Sequence, residues 1–409
     1  MTSNRVLIVE ENSMVPLDRR VWYEATTLRD AGWQVVVICP GYRDAHVGPG
    51  TLKSDDQPED LDGVTVYRYP LTFAEHGIAS YLGEYFSAFV SIARLSWRVW
   101  RKGHFDIIHI CNPPDIFFPI GLFYRFLGAK FVFDHHDLFS ESVAWRYRGL
   151  SGRLLYIVAR VAEYLTLRSA NAVIVTNESY RRIALERTDV SEEKVIVVRN
   201  GPKADEFVPL DPVPDLKRGF PYLACFVGLM GEEDGIANLV EIIRHTVCEL
   251  KRQDILFVLI GDGPERETAL DRIQTLGLER FVEMPGLILD DNVLRKYMST
   301  ADVFLSPEPW TPMNAKSTFI KIGEYMIMGK PTVAFDLEES RYTAKNAAVL
   351  VRPGNIPEFS QAVSDLLDDP ERRNRMGKYG QQRARDYLAW EHQSKHLLQV
   401  YRMALGQVD

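Results

Sequence analysis

The sequence predicts an α/β protein made of two doubly wound parallel sheets, and three observations carry that reading. Short β-branched runs alternate strictly with segments of helical period; the alternation stops at one proline-rich stretch and then restarts; and 409 residues exceed what one hydrophobic core supports. The first set of runs is RVLIVE (5–10), WQVVVIC (33–39), VTVYRY (64–69), DIIHI (106–110), KFVFD (130–134), NAVIVT (171–176) and KVIVV (194–198). Between them, segments such as 19–31, 115–128 and 151–169 repeat apolar residues at three- and four-residue spacing, the period of a helix that covers a sheet. Residues 201–219 are rich in proline and polar side chains and read as a linker. The pattern resumes with YLACFVG (222–228), ILFVLIG (255–261), RFVEM (280–284), ADVFLS (301–306), PTVAF (331–335) and AAVLV (347–351). An N-terminal domain over 1–200, a C-terminal domain over 220–375 and a charged helical tail over 376–409 follow, the tail breaking near Gly377 and Gly380 and packing back across the N-terminal domain.

Composition narrows the function. Hydrophobic residues make up 46% and charged residues 25%, enough apolar material for two cores. A net charge of -8 excludes a general nucleic-acid binder, which needs a basic face to displace phosphate counterions. Cys39, Cys111, Cys225 and Cys248 are scattered and form no CxxC pair, so neither a zinc ribbon nor a redox motif is expected. The first apolar run is short and meets acids at once, unlike a signal peptide, and no stretch is long and apolar enough to span a bilayer. The expected setting is cytoplasmic. One aromatic and aliphatic segment, 81–105, carries Arg94, Arg98, Arg101 and Lys102 late in it; it reads as a covering helix with an option of peripheral membrane contact.

Open parallel sheets bind ligands outside the carboxyl ends of their strands, and two of them facing each other place the site in the cleft between. In LIGDGPERETAL (259–270), Gly261, Asp262 and Gly263 make a tight strand-to-helix turn that is neither GxGxxG nor a Walker loop. In PMNAKSTFIKIGEYMIMGKP (312–331), Ser317 and Thr318 are placed to cap a helix whose free N–H groups would attract phosphate, with Lys316 and Lys321 adding charge. Glu324, the sole acid between Glu308 and Asp336, is suited to hold the vicinal diol of a ribose by two hydrogen bonds.

Around these residues the chain resembles the family 4 retaining glycosyltransferases of the GT-B fold. The C-terminal half carries STFIKIGEYMIMGKPTVA, with LIGDGPERETALDRIQTLGLERFVEMPGLI before it and AAVLVRPGNIPEFSQAVSDLLDDPERRNRMG after it. The N-terminal half carries LRDAGWQVVVIC, FDIIHICNPPD, FVFDHHDLFSE and VVRNGPKADEF at family positions. NPPD and DHHDLFSE look most like a bacterial branch associated with cell-surface polysaccharide assembly. The resemblance implies a nucleoside-diphosphate-sugar donor bound by the C-terminal domain, and a saccharide or lipid-linked saccharide acceptor bound by the N-terminal domain. It implies transfer with retention and no cofactor. Glu324 matches the family's ribose-holding glutamate. Lys316 stands where the family has its first glutamate, Leu229 replaces the glycine-flanked arginine, and Asp234 stands where a phosphate-binding lysine is common. The segment 306–316 is longer than the family's connection, so Glu308 or Asn314 is expected to reach the sugar hydroxyls while Lys316 or Lys321 supplies the charge for the diphosphate.

His136 matches the family histidine that faces the donor sugar near the reacting carbon, and with Asp137 it forms the catalytic pair expected here. Asn112 and Asp115 end a strand and are acceptor candidates, as are Asn12, Arg19 and Arg20 in the loop after the first strand, which lacks the family's glycines. The His-His-Asp cluster suggests a metal, but neighbours in an extended turn point different ways and no further ligand set is evident, so none is expected. A non-catalytic subunit of the same fold, or a nucleotide-sugar epimerase, are the alternative readings.

Overall fold

The computed structural model describes residues 4–41, 57–70, 78–147 and 149–407, with side chains from residue 83 onward in the helix that starts at Ile78. The chain divides into two compact units, Met1–Val198 with Ser394–Asp409, and Arg199–Gln393.

In the first unit the described strands are β1 (Arg5–Val9), β2 (Gln34–Gly41), β3 (Glu59–Leu61), β4 (Val64–Pro70), β5 (Ile107–Cys111), β6 (Lys130–His135), β7 (Ala172–Val175) and β8 (Val195–Val197). They form one sheet in the order β3-β4-β2-β1-β5-β6-β7-β8, parallel except for β3. The short antiparallel β3 is absent from the sequence-based expectation because EDL has neither β-branched residues nor alternation. The central strands are buried on both faces, which explains why they read as unbroken apolar runs.

The second unit holds β9 (Tyr222–Val227), β10 (Ile255–Ile260), β11 (Val282–Gly286), β12 (Val303–Ser306), β13 (Thr332–Phe335) and β14 (Ala348–Val351), all parallel in the order β11-β10-β9-β12-β13-β14. Alternate residues of β9 feed opposite cores: Ala224 and Phe226 pack with Phe257, Leu259, Phe335 and Phe359, while Leu223 and Cys225 pack with Leu256, Val258, Phe304 and Tyr325. That is the period-2 signature of a strand covered twice.

Residues 201–219 belong to the second unit and are strapped to it. The Leu210 and Val213 N–H groups donate to the hydroxyls of Ser299 and Thr300, both at 2.9 Å. Gly377 and Gly380 do not break the tail. The helix Pro370–Arg383 runs through both, and the irregular turn falls at Ala384–Leu388. A Cβ on Gly377 would lie 2.0 Å from the Gly329 carbonyl oxygen, so this glycine permits close helix packing. The last helix, Trp390–Ala404, contributes Tyr401 to the first unit, where its hydroxyl meets His109 Nδ1 at 2.6 Å and its ring packs edge-on against Trp33. All four cysteines are free. No helix among the described residues is long and apolar enough to cross a membrane.

Candidate functional site

In the second unit the loops after β9, β10 and β12 converge with the helix Ile320–Ile327. Tyr325 fixes that helix. Its ring stacks on Phe304 of β12 at 3.9 Å, and its hydroxyl both donates to Val227 O (3.0 Å) and accepts from Val227 N–H (2.9 Å). Lys321 and Glu324 are therefore carried, one turn apart, beside the carboxyl end of β9.

Lys321 lies in a cluster of charge. Its Nζ is 2.8 Å from Glu308 Oε1, 3.5 Å from Asp234 Oδ1 and 4.6 Å from the centroid of the Phe226 ring. A Cβ on Gly228 would meet the same Nζ at 2.8 Å, so the ammonium lies against the backbone that leaves β9. Burial disfavours its charge, but Glu308 and Asp234 outweigh that and raise the Lys321 pKa above its ordinary value. Burial, opposed by Lys321, also pushes the Asp234 carboxyl up. The acid that stands in place of a loop lysine is thus the counter-ion of a lysine delivered from the helix.

Several expectations are corrected here. The residue at the cap position of the helix is Phe319, not Ser317 or Thr318. Asn314–Lys316 forms a 3-10 turn, the Ser317 hydroxyl donates back to Met313 O (3.0 Å), and the helix starts only after Phe319, which makes no side-chain cap. Asn314 is buried, with its amide donating to Glu233 O (2.8 Å) and Pro309 O (3.0 Å), so it ties two loops together instead of reaching a sugar. Glu308 is buried too, accepting from the Ser306 hydroxyl and pairing with Lys321. Lys316 pairs with Glu338 at 3.4 Å. Glu324 is half-buried.

Gly261 has φ +139°, and a Cβ there would fall 1.8 Å from Gly228 O. Only glycine lets the β9 and β10 loops touch at this point. Asp262 is exposed; its carboxylate accepts from Gly263 N–H (2.8 Å) and its carbonyl from Met230 N–H (2.9 Å).

In the first unit a polar network lies at the carboxyl ends of β1, β5 and β6. Arg20 is buried and grips both oxygens of Asp134 at 2.8 Å, donates to Val198 O (2.9 Å) and reaches Glu24 at 3.4 Å. It is a structural cation and not an acceptor contact, because every direction of its fork meets protein. His109 Nε2 lies 3.7 Å from Glu24 and 3.8 Å from Asp134. Burial raises the Glu24 pKa, whereas Arg20 overcomes burial and holds Asp134 well below the usual carboxylate range.

His136 stands at the rim of this network. Its Nε2 is 3.9 Å from both Glu10 Oε2 and Asp134 Oδ2 without a hydrogen bond, and burial lowers its pKa, so the ring is neutral at pH 7. Asn112 sets this loop. Its side-chain oxygen accepts from the N–H groups of His136 (2.7 Å) and Asp137 (3.0 Å), and its amide donates to Asp137 O (2.7 Å) and Asp115 (3.0 Å). Fully buried and fully engaged, Asn112 positions the catalytic candidates instead of meeting an acceptor, and the buried Asp115 serves with it. Burial and the charge of Asp18 push the Asp137 carboxyl up to about 7. Asn12 is exposed and Arg19 half-buried. His135 points into the core between Phe133 and Tyr180.

Two ligand sets that sequence spacing could not reveal also converge here: Glu24, His109, Cys111 and Asp134, and Glu10, Cys111 and His136, each with ligand atoms within 4.8 Å. In the first set the Arg20 guanidinium already engages Asp134 and Glu24, and burial keeps the Cys111 thiol protonated. Glu10, Glu24, His109 and Asp134 escaped sequence reasoning because each reads as part of an apolar strand or helix. Their one signal was an ionisable residue inside or at the end of a buried element.

Two family descriptions match the chain in tandem: "Glycosyl transferase 4-like domain" over residues 17–201 and "Glycosyl transferases group 1" over residues 221–369. Among curated proteins, the 2-deoxystreptamine N-acetyl-D-glucosaminyltransferase of Streptomyces fradiae is 25% identical over 337 residues, 76% of this chain and 73% of the relative. The alpha-D-kanosaminyltransferase of Streptomyces kanamyceticus is 27% identical over 273 residues, 64% and 67% of the two chains. Sucrose-phosphate synthase from Thermosynechococcus elongatus shares the fold at TM-score 0.76 and 19% identity, over 99% of this chain and all of the other. An Anabaena protein solved in complex with UDP-glucose superposes at TM-score 0.70 and 14% identity, over 97% and 99%. Tandem family matches on two parallel α/β sheets leave one assignment: the chain belongs to the family 4 glycosyltransferases of the GT-B fold, enzymes that transfer sugars.

Proposed function

We propose that the protein moves a sugar from a nucleoside-diphosphate-sugar donor to a saccharide or lipid-linked saccharide acceptor, with retention and without a metal, in the synthesis of a surface glycoconjugate. The observation that carries this reading is the pair Lys321 and Glu324 on one helix that Tyr325 locks to the end of β9. In this account Glu324 holds the ribose diol, and Lys321, kept charged by Glu308 and Asp234, faces the diphosphate. Neighbours solved with UDP and UDP-glucose favour a uridine donor. In the first unit His136, neutral and with its Nε2 short of a hydrogen bond, is available to a substrate hydroxyl.

A retaining hydrolase needs two carboxylates about 5 Å apart, one of them a nucleophile. Of the carboxylates at the two sites, Glu10, Glu24, Asp134 and Glu308 are buried, Asp234 is paired with Lys321, and Glu324 is assigned here to the ribose. In this reading, as the family resemblance implies, the acceptor hydroxyl attacks the anomeric carbon on the face from which the diphosphate leaves, and a departing phosphate oxygen takes its proton. Positioning and electrostatic stabilisation carry the rate. Arg20 already satisfies Asp134, which supports transfer without a metal.

The test is turnover of radiolabelled UDP-sugars against a saccharide panel, with the anomeric configuration of the product read by NMR and a chelator in a parallel reaction. Retained configuration and unchanged turnover with chelator are expected; an inverted product or loss of turnover with chelator contradicts the reading.

A further inference from the structure

The helix Gly149–Ser169 is built inside out. Its buried face is mostly small or polar, with Gly152, Ala159, Ala162, Glu163 and Thr166 and a single large apolar residue, Leu167, near its end, while Leu150, Leu154, Ile157, Val158, Val161 and Leu165 are exposed, Leu150 at 84%. Their spacing of three and four residues puts them on one stripe. An ordinary covering helix has the opposite distribution, so this stripe is made to meet something other than water.

Two neighbouring helices extend the stripe. The connections from β4 to β5, β5 to β6 and β6 to β7 all advance in one direction across the sheet, and right-handed crossovers place their helices on one face. The helix Ile78–Lys102 contributes exposed Phe86, Val90 and Trp97, and Phe118–Phe126 contributes Leu122, Phe123 and Phe126, the last 90% exposed. Trp97 packs edge-on against Phe123 with centroids 6.0 Å apart, and the Arg125 guanidinium donates to Ser169 O, so the three helices are contiguous. Between the first two runs a groove of about 340 Å³ lined by Phe89, Ala93, Trp97, Ile120, Phe123 and Tyr124.

Charge identifies the occupant. The chain has a net charge of -8, yet these three helices carry eight Lys and Arg against two acids, Glu84 and Glu163, and Glu163 is buried in an ion pair with Arg187. Arg94 and Arg101 continue the Phe86–Val90–Trp97 stripe, and Arg168 continues the Val161–Leu165 stripe. The helices run parallel, so Arg101, Lys102, Arg125 and Arg168 collect at one end of the apolar face. An apolar field with aromatic residues and a basic margin complements the anionic surface of a lipid bilayer.

We propose that this face docks the protein onto an anionic lipid surface, with the apolar stripe of Gly149–Ser169 and the groove entered by acyl chains. The interaction is independent of which donor or acceptor the enzyme uses. It is tested on the full chain by co-sedimentation with phosphatidylcholine vesicles containing phosphatidylglycerol and with phosphatidylcholine alone, at low and high salt, using wild type and Leu154→Glu/Ile157→Glu, with circular dichroism checking the fold. Wild type is expected to sediment with the anionic vesicles, and at least ~10-fold less with neutral vesicles, in high salt, or after the double substitution. Wild type left in the supernatant, or equal binding to neutral vesicles, overturns the proposal even if the variant does not fold. So does a folded variant that binds as wild type does. A concentration-dependent dimer dissociated by the double substitution would instead make the face a contact between copies of the chain.

Discussion

Glu11 lies buried with its pKa pushed up to about 8, first by burial and then by the charge of Glu84. Between an unfolded value near 4.5 and 8, the folded chain keeps a proton that the unfolded chain has lost, so stability falls as pH rises through that window and levels off above it. Each unit of separation is worth about 1.4 kcal/mol. Glu11→Gln removes the penalty: thermal melts of the two proteins are expected to coincide near pH 4.5 and to diverge in favour of the variant up to about pH 8. Parallel curves would show that Glu11 ionises freely. At the donor site the charges are interlocked, and Lys321→Ala leaves Glu308 and Asp234 without their cation, which is expected to cost about 3–5 kcal/mol by denaturant unfolding. Adding Glu308→Gln should restore part of that loss; no restoration would mean the pair is not coupled. The importance of Lys321 was legible in the sequence from its place before Glu324. Its counter-ions were not, because Asp234 and Glu308 approach it only after three strands have been assembled side by side.

At the scale of elements, strands were readable because parallel strands buried on both faces leave continuous apolar runs, and thirteen such runs locate all the described strands but β3. Turns and caps were less readable. Ser317 and Thr318 have cap chemistry, yet the preceding 3-10 turn engages Ser317 and delays the helix to Ile320. Gly377 resembles a break in sequence and is a packing contact in the fold. Gly377→Ala should therefore destabilise the protein by about 1–3 kcal/mol despite the better helix propensity of alanine, because the new methyl group overpacks against Gly329 O. A higher melting temperature for this variant would refute the packing argument. Asn112→Ala removes the three hydrogen bonds that order the His136–Asp137 backbone. Turnover should drop by about 10²-fold while donor affinity stays near wild type, since this residue acts by positioning. An equal loss in both quantities would instead indicate general unfolding.

For the molecule as a whole, two restarting α/β patterns around a proline-rich strap sufficed to predict the fold class. The polar networks that give each unit its chemistry are long-range, as in Arg20 with Asp134 or Tyr401 with His109, and spacing along the chain does not encode them. The central claim is that a nucleotide-sugar is bound by the loops around β9, β10 and β12 with Glu324 on its ribose. Isothermal titration calorimetry of the full chain with UDP, GDP, ADP, dTDP and their common sugar conjugates tests it most directly, with Glu324→Ala in parallel. The account predicts one clear nucleotide family, with UDP foremost, and at least ~10-fold weaker binding in the variant, the loss of two hydrogen bonds to the diol. Binding that Glu324→Ala leaves unchanged, or no binding by any of these nucleotides, would contradict it.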